Sequence, residues 1–348
     1  MSCPVLLLMP RTIGADGHGP DVPYSLPGKL VDLDGYKLHL HATGKGKPTV
    51  VLIPGAGDYS FDWNLVQPSL ARLTQVCSYD RAGFAWSDLG PTPRTVRQEA
   101  NEVHLLLKNA RIEPPYVLVG HSLGGLIVRV YADQYPDEVT GVVLVDSTHE
   151  DTVLLVNAKL VRVREGAKDR PIPSFQTMKS SPPKPPTEED LKQADFNAKV
   201  FGAPKTEPPF DRLPVDVQKM RLWFRSNPKF SAVEDTFWAE ELQAMHVARV
   251  NRECPLSDKP LVVMIPSDQG PASPPPGVSA ETWKVVLKEK REQKLGLTKL
   301  SHNSKLIIAE RSGHHVQLDQ PELVIQAIRE VVEAARQGSK LTTKPKPR

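Results

Sequence analysis

Pro115-Tyr116-Val117-Leu118-Val119-Gly120-His121-Ser122-Leu123-Gly124-Gly125-Leu126-Ile127-Val128 runs from an apolar strand through G-x-S-x-G into a helical pattern. A serine at the apex of a strand-to-helix turn projects its hydroxyl clear of the backbone, which is what a nucleophile needs. The turn is tight and strained, and Gly120 and Gly124 supply the space that a Cβ would close. The helix starting at Leu123 directs its free amides toward the serine, so the Leu123 N–H is placed to meet a developing oxyanion. Behind the serine, Leu126, Val130, Tyr131 and Ala132 alternate with Arg129, Asp133 and Gln134 as an amphipathic helix requires.

A serine hydroxyl is a weak nucleophile at neutral pH, so a histidine base and an orienting carboxylate are expected downstream, in the chain order Ser, Asp, His. Residues 305–309 read as a last strand, and Ser312-Gly313-His314-His315-Val316-Gln317-Leu318-Asp319-Gln320-Pro321 as the loop after it, with a helix from about Glu322. That loop offers two bases, His314 and His315, of which His314, directly after Gly313, is preferred. His18, His39, His41, His104 and His246 lie in a leader, a strand or helical patterns and read as surface or packing histidines.

Outward from the serine, residues 50–53, 76–79, 116–121, 141–145 and 260–265 are apolar runs alternating with helical patterns at 63–73, 94–110 and 123–135. Before them, 30–33 and 36–41 form a hairpin around Asp34-Gly35. Strand–helix alternation predicts an α/β fold, a mostly parallel sheet covered on both faces, with reactive groups on loops at the carboxyl ends of the strands. Residues 147–258 interrupt the alternation for too long to be an ordinary connection. They read as an inserted helical cap with a Pro-rich linker at 171–186 and helices at 215–225 and 232–249. Residues 1–28 are an irregular leader, 29–146 and 259–337 the core, and 338–348 a basic, disordered tail. A charged helix at 283–294 reads as a solvated surface element.

These features resemble the α/β-hydrolase superfamily of serine hydrolases, in its esterase and lipase-like branch with a cap, from about Lys29 to Ala335. Ile53-Pro54-Gly55-Ala56-Gly57 is similar to the family's oxyanion loop, with Pro54 where many members carry histidine. Tyr79-Asp80-Arg81-Ala82-Gly83-Phe84-Ala85-Trp86-Ser87-Asp88 is similar to its D-x-R-G-x-G-x-S loop, and Gly313-His314 through Pro321 to its histidine loop. The resemblance implies an oxyanion hole from the N–H groups of Ala56 and Leu123, selects His314 over His315, and turns His121 inward as a support. Asp80 and Arg81 are expected to brace their loop through a charged hydrogen bond.

The acid has two candidates at strand ends: Asp146, closing a five-residue apolar run, and Asp268, which lacks a preceding glycine and runs into a Pro-rich stretch. Asp146 is preferred and Asp268 stays open. Trp63, Trp223 and Trp238 are offered as substrate-pocket residues, against the alternative that such aromatics simply pack the cap onto the core.

The reaction implied is ester-type acyl transfer to water, with a small-molecule substrate and neither cofactor nor metal. A cofactor-free peroxidase, a lyase, a C–C hydrolase or a non-catalytic ligand-binding relative are the alternatives. The net charge of +3 and the lack of a long basic block before the tail make nucleic acid an unlikely partner. Three scattered cysteines argue against a disulfide framework or a zinc site. The apolar Val5–Met9 run is too short to span a bilayer, so a cytoplasmic protein without stable membrane insertion is expected. Oligomeric state is not legible.

Overall fold

The central parallel strands are dominated by apolar residues because both of their faces are covered. The computed structural model describes residues 22–91, 93–156, 159–167, 206–226, 239–267 and 277–341, with residues 188, 189, 192 and 274 besides. Its main sheet has eight strands: β1 (Lys29–Asp32), β2 (Lys37–Thr43), β3 (Thr49–Ile53), β4 (Val76–Tyr79), β5 (Tyr116–His121), β6 (Val139–Val145), β9 (Leu261–Pro266) and β10 (Ser304–Ala309). They lie in the order β1-β2-β4-β3-β5-β6-β9-β10, with β2 antiparallel to both neighbours and the rest parallel. A hairpin of β7 (Val153–Val156) and β8 (Lys159–Arg162) stands apart from it.

Alternate residues of each strand feed opposite cores. Val51, Ile53, Leu118, Val142, Leu144, Leu261 and Val263 face a cluster completed by helices α2 (Val96–Asn109) and α3 (Leu123–Gln134). Val50, Leu52, Val117, Val119, Val143, Val145 and Val262 face a second cluster, closed by α1 (Gln67–Leu70) and, further along the chain, α8 (Pro321–Gln337). Each fully buried Val or Leu contributes about 1.5–3 kcal/mol, so these central strands anchor everything mounted on their ends.

The remaining helices are α4 (Val215–Arg225), α5 (Ala239–Val250), α6 (Ala280–Gly296) and α7 (Val316–Asp319). Most boundaries fall within two or three residues of expectation. At Asp34 and Gly35 both φ values are positive (65° and 111°), which is why this dipeptide closes the first hairpin. The expected helix at 63–73 is instead a 3-10 turn, Ser60–Trp63, followed by the single turn of α1, whose first turn holds Pro68. Between β6 and β9 the described residues hold the β7–β8 hairpin as well as α4 and α5, where helices alone were expected. The linker at 171–186 and the first part of the helix expected at 232–249 lie outside the described residues. Among those described, no helix is long and apolar enough to cross a membrane.

Candidate active site

Ser122 sits where β5 ends and α3 begins, with φ 51° and ψ −118°. A non-glycine residue there stores about 1–3 kcal/mol of strain, and it persists only where its surroundings fix it. Here the Ser122 N–H donates to Val145 O at 3.1 Å, while its carbonyl accepts from Gly125 N and Thr148 N, both at 3.0 Å. The two flanking glycines are needed for close approach. A Cβ on Gly120 would lie 2.4 Å from the Gly124 carbonyl oxygen, and one on Gly124 2.4 Å from the Ile53 carbonyl oxygen. Leu123, whose amide opens α3, is buried beside the serine, and Ala56 is exposed on the loop after β3.

Asp146 closes β6, again at positive φ (41°), and is 3% exposed. Its Oδ2 lies 2.6 Å from His314 Nδ1, on the loop after β10. Of the two histidines on this loop, His314 is thus the one joined to the carboxylate that closes β6, and its side chain is half exposed, at 48%. His314 is also held to the elbow: its carbonyl oxygen is 3.0 Å from His121 Nε2, and the two rings are 4.6 Å apart between centroids. Burial opposes the Asp146 charge, but the hydrogen bond from His314 and the ammonium of Lys294 hold its carboxyl below the usual range. Asp268 lies outside the described residues.

His315 turns the other way. Its Nε2 is 3.4 Å from Oδ1 of Asp58, a carboxylate buried on the loop after β3. Asp58 Oδ2 also lies 2.7 Å from His121 Nδ1 and accepts from Gly55 N at 3.3 Å. One carboxylate therefore ties together the loop after β3, the elbow strand and the histidine loop. Burial alone would raise its pKa, but hydrogen bonds from His121 and His315 keep it well below the ordinary carboxylate value. His121, expected as an inward support, does that work with both ring nitrogens, and burial holds its own pKa down.

The segment between β6 and β9 reaches this network through Arg221 of α4. Its Nε donates to Asp62 Oδ1 at 3.0 Å, its guanidinium approaches Asp58 at 3.8 Å, and it lies 3.5 Å over the Phe210 ring. Burial, with the Asp58 charge, pushes Asp62 up to about 6 against the pull of Arg221. Around these charges, Tyr59, Phe61, Phe84, Leu213, Val217, Phe224 and Leu318 form a third apolar cluster joining α4 to the core loops.

Several expectations need correction. Trp63, 1% exposed, packs with Val66 and Leu70 in the second core cluster and not in a pocket. Trp223 packs edge-on against Phe224 and Tyr24, at 5.0 and 6.2 Å between centroids, and Trp238 lies outside the described residues. Asp80 and Arg81 do brace their loop, but through separate partners. Asp80 binds His39 Nδ1 at 2.6 Å and Ser60 N at 2.7 Å, whereas Arg81 donates to Gly55 O at 2.8 Å and pairs with Glu99. His39 is accordingly part of this bracing, with both ring nitrogens on oxygen atoms. The helix expected to be a solvated element, α6, sends Lys294 to within 2.5 Å of Asp146 Oδ1.

Asp58, Arg221 and Lys294 are the site residues that sequence reasoning missed. Arg221 had a signal: with Val217 and Phe224 it stands at i, i+4 and i+7 on the buried face of an amphipathic helix, where an arginine must have an acidic partner. Lys294 had none among the other cations of α6.

The chain belongs to the alpha/beta hydrolase family, whose model matches residues 50–327. An AB hydrolase superfamily protein of Gibberella zeae is 25% identical over 310 residues, covering 83% of this chain and 88% of its own length. Three other curated relatives match over shorter stretches, and of their own lengths this chain spans only 20, 37 and 47%. Among solved structures, the enol-lactonase from Burkholderia xenovorans LB400 is similar at a TM-score of 0.55 and 17% identity, over 88% of this chain and 100% of that one. A thermophilic esterase from Thermogutta terrifontis is similar at 0.54 and 20%, over 88 and 98%. At these identities the structures attest the shared fold.

Proposed function

We propose that this chain is a serine hydrolase that cleaves a carboxylic ester, or a related acyl bond, of a small molecule through Ser122, His314 and Asp146. The observation that carries the reading is the 2.6 Å contact of His314 Nδ1 with Asp146, on a histidine whose carbonyl is anchored to the residue next to Ser122. With Nδ1 committed to the carboxylate, Nε2 is the nitrogen left to take the Ser122 proton as the hydroxyl oxygen attacks the acyl carbonyl. The N–H groups of Ala56 and Leu123 receive the oxyanion, each such donor contributing about 2.7–4 kcal/mol. His314 then protonates the leaving alcohol, and water, activated in the same way, releases the acid from the acyl-enzyme. Residues 29–146 and 259–337 form the catalytic core in this reading, and 147–258 form a cap that selects the substrate. The charged bridge from Arg221 to Asp58 and Asp62 supports such a coupling of cap to core.

A fluorophosphonate probe tests the reading without a known substrate. Labelling maps to Ser122 by mass spectrometry, is abolished in Ser122→Ala, and slows by about 10⁴ in Asp146→Asn, the scale of a lost imidazole-orienting carboxylate. Folded protein that stays unlabelled, or is labelled elsewhere, overturns it. Aryl esters graded by acyl length, with lactones alongside, then define the acyl group.

A further inference from the structure

The hydrogen bond to His314 occupies one oxygen of Asp146, and the other is not left to water. Lys294 Nζ lies 2.5 Å from Oδ1 in a contact between side chains that are 16 and 3% exposed. Lys294 belongs to the last turn of α6, where the helix dipole favours a cation, so the ammonium is presented from a fixed element. One helical turn earlier, Lys290 is partly buried on the same side; burial and the charge of Lys294 lower its pKa, with Asp146 as the opposing influence. Two lysines of a helix inserted between β9 and β10 thus crowd one carboxylate.

Resting on the reading of Asp146 and His314 given above, we propose that Lys294 is a positioning residue for the reaction: it clamps the second oxygen of Asp146 and offsets part of its charge, setting how strongly that carboxylate holds a proton on His314. The clamp has two consequences. It fixes the plane of the carboxylate, so the imidazole is aimed by a group that cannot rotate. It also places a positive charge on the far side of the carboxylate from the ring, roughly 6 Å away through the shared group, which offsets part of the attraction between the carboxylate and the ring proton. Among the described residues, the other charged or titratable groups recorded beside this pair are Lys290 from α6, next to Asp146, and, around the ring, His121 from the elbow strand and His315 with Asp58.

The test is the pH dependence of the fluorophosphonate labelling rate in the full chain, compared among wild type, Lys294→Met and Lys294→Arg. Coulomb's law at this separation, weakened by the solvent reaching His314, moves the acid limb of the Lys294→Met profile up by about half to one pH unit. Lys294→Arg retains the wild-type midpoint. A Lys294→Met profile that drops uniformly with an unmoved midpoint, or moves to lower pH, reduces Lys294 to a structural contact and overturns the proposal. Should Lys294→Met not fold by circular dichroism, Lys294→Gln takes its place with the same expectation. Should wild type itself not be labelled, the Ser122 reading fails separately; the displacement of the His314 resonance in a histidine-labelled NMR titration between wild type and variant then decides the role of Lys294.

Discussion

Replacing Asp58 by asparagine removes one charge and one acceptor from the centre of the network that joins three site loops. Asparagine has a single acceptor oxygen where the carboxylate has two, and both His121 Nδ1 and His315 Nε2 face it, at 2.7 and 3.4 Å. One imidazole then faces an amide NH2 in place of a carboxylate oxygen and loses a hydrogen bond to a charged group, at about 1.5–3 kcal/mol. Arg221 keeps Asp62 at 3.0 Å and loses only its longer contact, so the full 3–5 kcal/mol of a broken buried pair does not apply. With about 1 kcal/mol for the lost Arg221–Asp58 contact, the sum is about 2.5–4 kcal/mol, which at about 2 °C per kcal/mol in a chain of this size lowers the Tm by about 5–8 °C. The sign of the pH dependence follows from the depressed Asp58 carboxyl. Its contribution is complete above the unfolded value of about 3.9 and is lost as pH falls through the folded value. Differential scanning fluorimetry should therefore show a gap between wild type and Asp58→Asn at pH 7 that closes below about pH 4. The His121 contact to the His314 carbonyl is loosened as well, and a displaced base costs about tenfold to a hundredfold in labelling rate. An unchanged Tm at pH 7, or a gap that widens on acidification below pH 4, refutes the assignment of Asp58 as a charged hub.

The His39–Asp80 pair has the opposite sign. Burial lowers the His39 pKa but the Asp80 carboxylate raises it further, so the net shift is upward. The stability it provides is complete below the unfolded value of about 6.5 and is lost as pH rises through the folded value. His39→Gln therefore lowers the Tm more at pH 6 than at pH 9, and an equal loss at both refutes a charged pair. At the elbow, a Cβ at Gly120 meets backbone at 2.4 Å, which no side-chain rotation relieves, so Gly120→Ala costs about 3 kcal/mol or more and stops labelling. Gly296, helical at φ −60° with nothing within 4 Å of its virtual Cβ, is the control. Gly296→Ala should be neutral, or stabilising by up to about 1 kcal/mol in a denaturant titration.

The parts of the site legible in the chain are those written within a few residues. The apolar run, glycine spacing and helical period around Ser122 each constrain the backbone locally, and the structure has the strand, the strained turn and the helix there. The helix at 63–73 failed for a local reason too: Pro68 breaks the periodicity that Trp63, Val66 and Leu70 suggest, and the chain satisfies their burial with two short turns. The preference for His314 over His315 was legible from its place after Gly313 in the histidine loop, but what each ring faces needed the fold, because adjacent residues on a loop point in different directions. One faces Asp146 and the other Asp58.

By itself, then, the sequence determined the alternation of strands and helices, the elbow and the histidine loop, because periodicity and turn chemistry act between near neighbours. The tertiary structure alone decided that Trp63 is core, that Asp58 links three loops, and that a lysine nearly 150 residues after Asp146 grips its carboxylate. Those contacts depend on which loops the parallel sheet collects at one edge, and a buried charge shows its purpose only when the partner that neutralises it is in place.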